Sequence, residues 1–525
     1  MGQDISKSII PPPLTLQDCF VNGQINLARY LYYRRRSNHL MHAISGDRKL
    51  LKKKRKYNHL DFIQNKKQKK LRSTKKYKSM VRDRDGVLRE LLPTDTLWYL
   101  LYISIPPNTP RMLKLFRRRF RLPYDTFLTL SNEISTNPMF ARWNRCDAVG
   151  VKPSDRKLLL LGVLRYIGRA WTLDDVAEAN GISLFVNRDF LLCFLEYGST
   201  VLYKKWVLDP ASNINISERE SIFRQAGFDG CIGSSDATHV AMLSCPYWAQ
   251  NMHKGFKLHC PARTYNVTVD HTRRIIGTTL GHPGTWNDKS VVLFDDLLTK
   301  VNKGEIYNDF VFKLYEKDSN GNIVQIEYSG VWFIVDNGYL SWSCTVPPEN
   351  NGTTYAVIRF SEWLESMRKD VECLFGIMKG RFLILRYGYR LQKIYQCDRV
   401  WLTCCAMHNM LLDVDGLHKN WETGAKSDWE LSHIQNLHRS TIRTPFAITR
   451  LNCHLSNHDE QVHDHNECNN IHISKRRDKY TVNGKRVVSK MPLSLFKQCL
   501  VNHFDIRFKK HDIIWPSRLI KPNKL

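Results

Sequence analysis

Five consecutive apolar residues, Val331-Trp-Phe-Ile-Val335, run directly into an acid, Asp336. A run this short without a polar face belongs inside a sheet covered on both sides, because a strand with one wet face would alternate. It therefore demands neighbouring strands and covering helices, and the flanking sequence supplies both. Gly230–Leu243, Tyr265–Asp270 and Ile275–Leu280 read as strands, and Asn287–Leu298 reads as a helix. Phe310–Tyr315 and Ile323–Tyr328 flank Ser319-Asn-Gly-Asn322, a hairpin signal. Amphipathic helices are predicted over Glu362–Lys379 and Cys397–Asp413. Residues 228–415 thus predict an α/β domain with helices packed on a mixed sheet.

Ahead of it, residues 88–227 are patterned as helices. Leu113, Phe116 and Phe120 share one face, with Arg117, Arg118, Arg119 and Arg121 around it. Leu158–Ile167 is a helix, Thr172 caps a second that ends at Gly181, and Val186–Tyr197 is a third. The turn Asn180-Gly-Ile-Ser183 is compatible with a helix-turn-helix that binds DNA or with a plain three-helix bundle.

Charge decides what such a chain meets. Of 525 residues, 79 are Lys or Arg and 50 are Asp or Glu, a net charge of +29. Residues 48–78 hold fifteen of the bases against the single acid Asp61, a net +14. So much like charge with so little to bury predicts a disordered N-terminal region, residues 1–87, carrying a basic arm at 48–78. Lys52–Lys56 and Lys66–Lys70 suit nuclear import or phosphate contact. Met1-Gly-Gln-Asp-Ile-Ser6 fits the N-myristoylation pattern, which keeps a peripheral membrane reading open. No apolar run reaches the roughly 20 residues of a membrane span. No charged and apolar leader is expected, so the fourteen cysteines read as reduced thiols. Residues 416–525 read as a basic, His-rich extension. Its cluster Cys453, His454, His458, His463, His465, Cys468 and His472 raises zinc without a closely spaced Cys pair, the alternative being a polar loop.

Phosphodiester chemistry with divalent metal needs converging carboxylates, because Mg²⁺ prefers hard oxygen ligands. Asp236 lies inside a strand, where an acid is out of place without a partner. Asp336 sits at the carboxyl end of the buried strand, where ligands of α/β sheets collect. Glu372 borders the buried stripe Val371, Leu374, Phe375 and Met378, with Arg368, Lys369 and Lys379 along its own side of the helix. Taken singly, these acids are also explained as a turn residue, a strand-end cap and a helix surface charge.

Several stretches arrive in the order of one family. They are Gly233-Ser-Ser-Asp236-Ala-Thr-His239, Tyr265-Asn266-Val-Thr-Val, Pro283-Gly-Thr-Trp-Asn-Asp288, Val335-Asp336-Asn-Gly-Tyr339, the segment Trp363–Phe382 around Glu372, and Ala406-Met-His408-Asn409. Over about residues 110–415 the chain resembles the PIF/Harbinger superfamily of DDE transposases, closest to its plant, algal and protist members. The 35 residues between Asp336 and Glu372 keep the family's spacing. Ala237 replaces the glycine of the usual Asp-Gly-Thr-His.

The resemblance implies an RNase H-like nuclease domain at 228–415 and a DNA transposase that cuts at terminal inverted repeats and joins 3′ ends to target DNA. Asp236, Asp336 and Glu372 would be catalytic and hold two Mg²⁺ or Mn²⁺ ions. Asp288 is a further candidate ligand, or a first-turn helix acid. Lys369, Lys379 and Arg381, with Arg117, Arg118, Arg119 and the arm residues Lys53, Lys54 and Arg55, would hold DNA. His239 would orient Asp236 or simply pack in its strand. A Myb-like accessory protein, a synaptic homo-oligomer, the nucleus, and no stable membrane association complete the expectation. The alternative is a domesticated, non-cleaving DNA-binding or regulatory protein.

Overall fold

In the computed structural model of the chain, the run at 331–335 forms strand Trp332–Ile334, fully buried between two parallel neighbours. The structure describes residues 92–417, apart from 147–149, 151, 208–212, 256 and 350–351, and residues 479–514. The short strand pairs Phe20–Val21 with Gln24–Ile25 and Met80–Arg82 with Leu88–Glu90 are also described. Residues 1–78 and 79–525 form separate units, and of the first only the pair at 20–25 is described. The myristoylation pattern, the arm residues Lys53, Lys54 and Arg55, and the Cys453–His472 cluster lie outside the described residues.

In the second unit the helical region comprises α1 (Pro110–Phe120), α2 (Arg156–Arg169), α3 (Leu173–Asn180) and α4 (Leu184–Tyr197), with Tyr124–Thr136 between α1 and α2. Thr172 caps α3, accepting from Asp175 N–H at 3.1 Å, and Gly181 closes it at φ 66°, a conformation that suits glycine. The α3–α4 turn is locked by Asn180 Nδ2 donating to Asn187 Oδ1 at 2.7 Å.

The sheet contains β1 (Cys231–Ala241), β2 (Ala262–Val269), β3 (Ile275–Thr278), β6 (Trp332–Ile334) and β7 (Thr345–Val346). Its spatial order is β7-β6-β1-β2-β3, with β1 antiparallel to β2, β2 to β3, and β6 parallel to both β1 and β7. Numbered by their occurrence in this sheet, the strands run 3-2-1-4-5. The hairpin β4 (Val311–Lys317) and β5 (Ile323–Ser329) lies outside the main sheet, in a second one with Thr481–Val482 and β8 (Lys485–Val487).

Cores cover both faces. Consecutive Ile275 and Ile276 enter different clusters, as a period of two requires. One cluster joins β2 to α1, α2, α4 and α8 (Ile394–Val414), so the change of pattern at 228 falls within one compact unit. The other joins β1 and β6 to α6 (Asp296–Lys303), the hairpin and α9 (Leu493–Lys509). Phe496, Leu500 and Phe504 of α9 are buried there, so this helix of the expected C-terminal extension belongs to the core.

Two predicted helices change shape. Asn287–Leu298 is broken into α5 (Asp288–Val292) and α6, because Asp295 accepts from Leu298 N–H at 2.9 Å and starts a new helix. The helix expected at 362–379 is longer: α7 (Tyr355–Arg381) begins at the Thr354 cap. Its 27 residues span about 40 Å at about 1.5 Å per residue, and its buried stripe leaves one core at Met367 and enters the other at Val371. Glu372 sits just past that crossing.

Candidate active site

Strand register brings two aspartates together. β6 pairs Ile334 with Ser234 of β1, and Asp336, two residues past the end of β6, comes close enough to Asp236 on β1 for the two carboxylates to repel each other. Adjacent strands lie about 4.8 Å apart, so the parallel pairing of β6 with β1 makes these carboxylates neighbours. Asp236 accepts from Ala237 N–H and Asp336 from Asn337 N–H, each at 2.7 Å.

Asp288 joins them. It is the first residue of α5 after the Asn287 cap, which accepts from Ser290 N–H at 2.9 Å, as expected of a first-turn acid. A Cβ on Gly338, in the turn after Asp336, would stand 3.2 Å from Asp288 Oδ2. The Asp288 carboxylate therefore lies over that turn. Lys257 Nζ is 3.9 Å from it.

Crowded carboxylates should resist ionisation. Burial, with lesser repulsion from Asp288 and Asp336, pushes the Asp236 carboxyl up to about 6, against the pull of Ala237 N–H and Arg368. Burial and then Asp336 raise Asp288 as well, with Lys257 opposing.

Glu372, on α7, does not reach this group unaided. Arg368, one turn earlier, donates to Asp236 Oδ2 at 3.2 Å and to Glu365 at 2.7 Å, and pairs with Glu372 Oε1 at 2.9 Å. Its guanidinium is thus seated between the strand acid and the helix acid. Hard carboxylate oxygens suit Mg²⁺ or Mn²⁺. Among the described residues, however, no three His, Cys, Asp or Glu side chains converge closely enough to hold an ion as they stand. The donor chemistry fits a divalent metal, and the spacing is that of a site with an arginine inside it.

The expected DNA contacts divide. Lys369 is exposed and Lys379 half-buried on α7, where burial lowers the Lys379 ammonium. Arg118 is exposed and Arg119 half-exposed on α1. Arg381 is fully buried and pairs with Asp415 at 3.5 Å, and Arg117 turns inward to the same carboxylate at 2.7 Å. The expectation that Arg381 and Arg117 face DNA is corrected: a buried acid from the end of α8 claims both guanidiniums. His239 does not touch Asp236. Its Nδ1 shares a hydrogen bond with Thr264 Oγ1 at 2.8 Å, and burial, reinforced by Lys257 and Lys379, holds the ring down to about 4 and therefore neutral.

Other motif residues support the site. Tyr339 O–H donates to Asn266 Oδ1 at 2.5 Å, and Asn266 Nδ2 donates to Asp295 at 2.8 Å and Ser235 at 3.0 Å. These bonds tie the turn after Asp336 to β2 and to the start of α6. Asn409 clamps β3, accepting from Ile275 N–H at 3.0 Å and donating to its carbonyl at 2.8 Å, while His408 pairs with Arg273 O at 2.9 Å. Two residues at the carboxylates escaped the sequence reading of roles, Arg368 and Lys257. Arg368 had a signal, lying three residues after Glu365 and four before Glu372; Lys257 had none.

Residues 206–418 match the profile of a family described as plant transposon protein. The match spans less than half of the chain and contains the main sheet, all four carboxylates and helices α7 and α8. This part of the chain is transposase-related. No curated protein and no solved structure matches the chain.

Proposed function

We propose that this transposase-related chain is a DDE-type DNA transposase of the PIF/Harbinger kind, cutting at terminal inverted repeats and joining the 3′ ends to target DNA. The observation that carries the reading is the meeting of Asp236, on β1, with Asp336, just past the end of the adjacent parallel strand β6, with Asp288 beside them and Glu372 on the following long helix. The strand order 3-2-1-4-5, three strands antiparallel and two parallel, supports an RNase H-like nuclease fold.

Asp236, Asp336 and Glu372 are the catalytic carboxylates of this reading, with Asp288 as a fourth metal ligand. A bound pair of Mg²⁺ or Mn²⁺ ions would supply Lewis-acid activation of the attacking oxygen and charge neutralisation at the leaving one. Lys257, Lys369 and Lys379 then neutralise phosphate at the rim. For the carboxylates to act together, the Arg368 guanidinium gives up Asp236 and Glu372 and keeps Glu365. The α3–α4 pair serves as a helix-turn-helix, and the basic arm carries nuclear import. A Myb-like DNA-binding protein and a second copy of the chain complete the synaptic complex, with no stable membrane association.

The test is cleavage. The full chain is incubated with Mg²⁺ and a duplex bearing the inverted repeats that flank its coding region. Breaks at the repeat ends are expected from the wild type, with a loss on the order of 10³-fold for Asp336→Asn, as removal of a residue acting at the reacting atoms commonly costs. Cleavage by Asp336→Asn at the wild-type rate would sink the assignment. The ion-paired Arg368 also favours a second reading, a domesticated protein that binds DNA without cutting; metal-independent binding with no breakage selects it.

A further inference from the structure

Part of the positive charge on the described surface is concave. Helices α1 and α2 line an open cavity of about 270 Å³ whose walls are Leu115, Arg118, Arg119, Arg165 and Arg169. Four guanidiniums therefore share one small space. Arg165 and Arg169 are both pushed down, Arg165 to about 10, by burial first and then by neighbouring arginines, Arg169, Arg119 and Arg121 in one case and Arg118 in the other. An anion seated among these arginines would relieve that repulsion.

The cavity is built to hold its donors still. Arg165 stacks on Trp171 with its guanidinium carbon 3.7 Å from the ring centroid, and its Nη1 donates to Arg119 O at 3.0 Å. Its Nε is buried with no hydrogen-bond partner. Arg119 Nη1 is fixed by Tyr102 Oη at 2.9 Å. Of the neighbouring arginines on α1, Arg117 is consumed by Asp415, so the helix presents Arg118 and Arg119 to the cavity by a sorting that its sequence does not display.

Size decides the ligand class. A cavity of about 270 Å³ has room for one phosphate group and its hydration. We infer that this arginine cradle seats a single backbone phosphate of the bound DNA, fixing the register of the helical region on the duplex. The inference rests on the proposed DNA-processing function and extends it to Arg165 and Arg169. Phosphate contacts position a protein on DNA without reading sequence, and each neutralised phosphate adds about 0.9 to the slope of log affinity against log salt.

The experiment uses the full chain, a labelled duplex of arbitrary sequence, and the double variant Arg118→Gln/Arg169→Gln, which leaves the Trp171-stacked Arg165 in place. Lys303→Gln/Lys313→Gln, equal in charge and outside the cavity, is the control. The cradle variant is expected to lose about tenfold in affinity and about 1 in salt slope, the control neither. Inorganic phosphate, compared with chloride at equal ionic strength, is expected to raise the melting temperature of the wild type and the control but not of the cradle variant. Without phosphate the cradle variant should melt no lower than the wild type, because like charges have been removed; a structural pair of arginines would melt lower. Unchanged affinity, slope and phosphate response would overturn the cradle. Mg²⁺-dependent cleavage is measured on the same proteins, so a wild type that never cuts but loses its slope with the cradle sinks the nuclease reading and leaves the cradle standing.

Discussion

Replacing Asp236 by Asn is expected to abolish cleavage and yet make the fold more stable at neutral pH. An aspartate whose usual value is 3.8 is held up to about 6, chiefly by burial. That rise of about two units means its ionised form is disfavoured in the folded chain by about 3 kcal/mol. The side chain retains 18% exposure and Arg368 stays 3.2 Å away, so screening and the lost ion pair reduce the net gain from Asn to about 1–2 kcal/mol. The amide keeps the acceptor for Ala237 N–H. The sign follows from proton linkage: between the unfolded and folded values the native chain holds the proton more tightly, so wild-type stability falls as pH rises from about 4 through 6. Thermal unfolding in EDTA across pH 4–8 should therefore show the variant about 1–3 °C above the wild type at pH 7.5, with the gap closing through pH 6 and gone near pH 4. A variant that melts below the wild type at pH 7.5, or a gap independent of pH, would refute the argument that Asp236 sits under electrostatic load.

Adding Mg²⁺ should raise the melting temperature of the wild type and do markedly less for Asp236→Asn or Glu372→Gln, read in the same instrument. Asn409→Ala removes a buried clamp on both backbone groups of Ile275 and should cost about 2–4 kcal/mol in denaturant unfolding, since each orphaned buried group costs about 1–3. Phe504→Ala, which empties a fully buried site in α9, should cost about 3–5 kcal/mol by the same measurement. Truncation after residue 478 should yield insoluble protein, because it uncovers the core that α9 closes.

The apolar run at 331–335 announced a doubly covered strand because burial on both faces leaves no polar alternation to confuse the pattern. Asp236 and Asp336 were legible as acids out of place, and the long helix around Glu372 by its stripe. Their convergence was not, since it depends on the register of β6 on β1, which no local pattern encodes. The split at Asp295 was hidden because Asp is ordinary both inside and at the start of a helix. Helix α9 was passed over although Phe496, Leu500 and Phe504 recur four apart, because the polar, His-rich stretch before it suggested a tail. Nothing local distinguishes Arg117 and Arg381, which turn inward to Asp415, from Arg118, which does not.

The arginine between the carboxylates shows why those details matter together. Three aspartates brought close by strand topology and a capped turn carry more negative charge than a partly buried site tolerates, and Asp236 responds by resisting ionisation. The nearest relief comes from the helix that bears Glu372, through Arg368. Because residues three and four apart share a helix face, Arg368 can stay paired with Glu365, three residues before it, while surrendering Glu372, four residues after it. The guanidinium therefore offsets the charge of Asp236 and Glu372 in the resting state without being anchored there. A divalent cation entering the same space meets the same oxygens with twice the charge and displaces a side chain that already has another partner. Arg368→Lys, which keeps one charge but loses the fork that spans Asp236, Glu365 and Glu372 at once, should loosen that resting state and lower the Mg²⁺ concentration needed for half-maximal stabilisation. An unchanged or higher Mg²⁺ requirement would mean that Arg368 helps to assemble the site and does not merely hold its place.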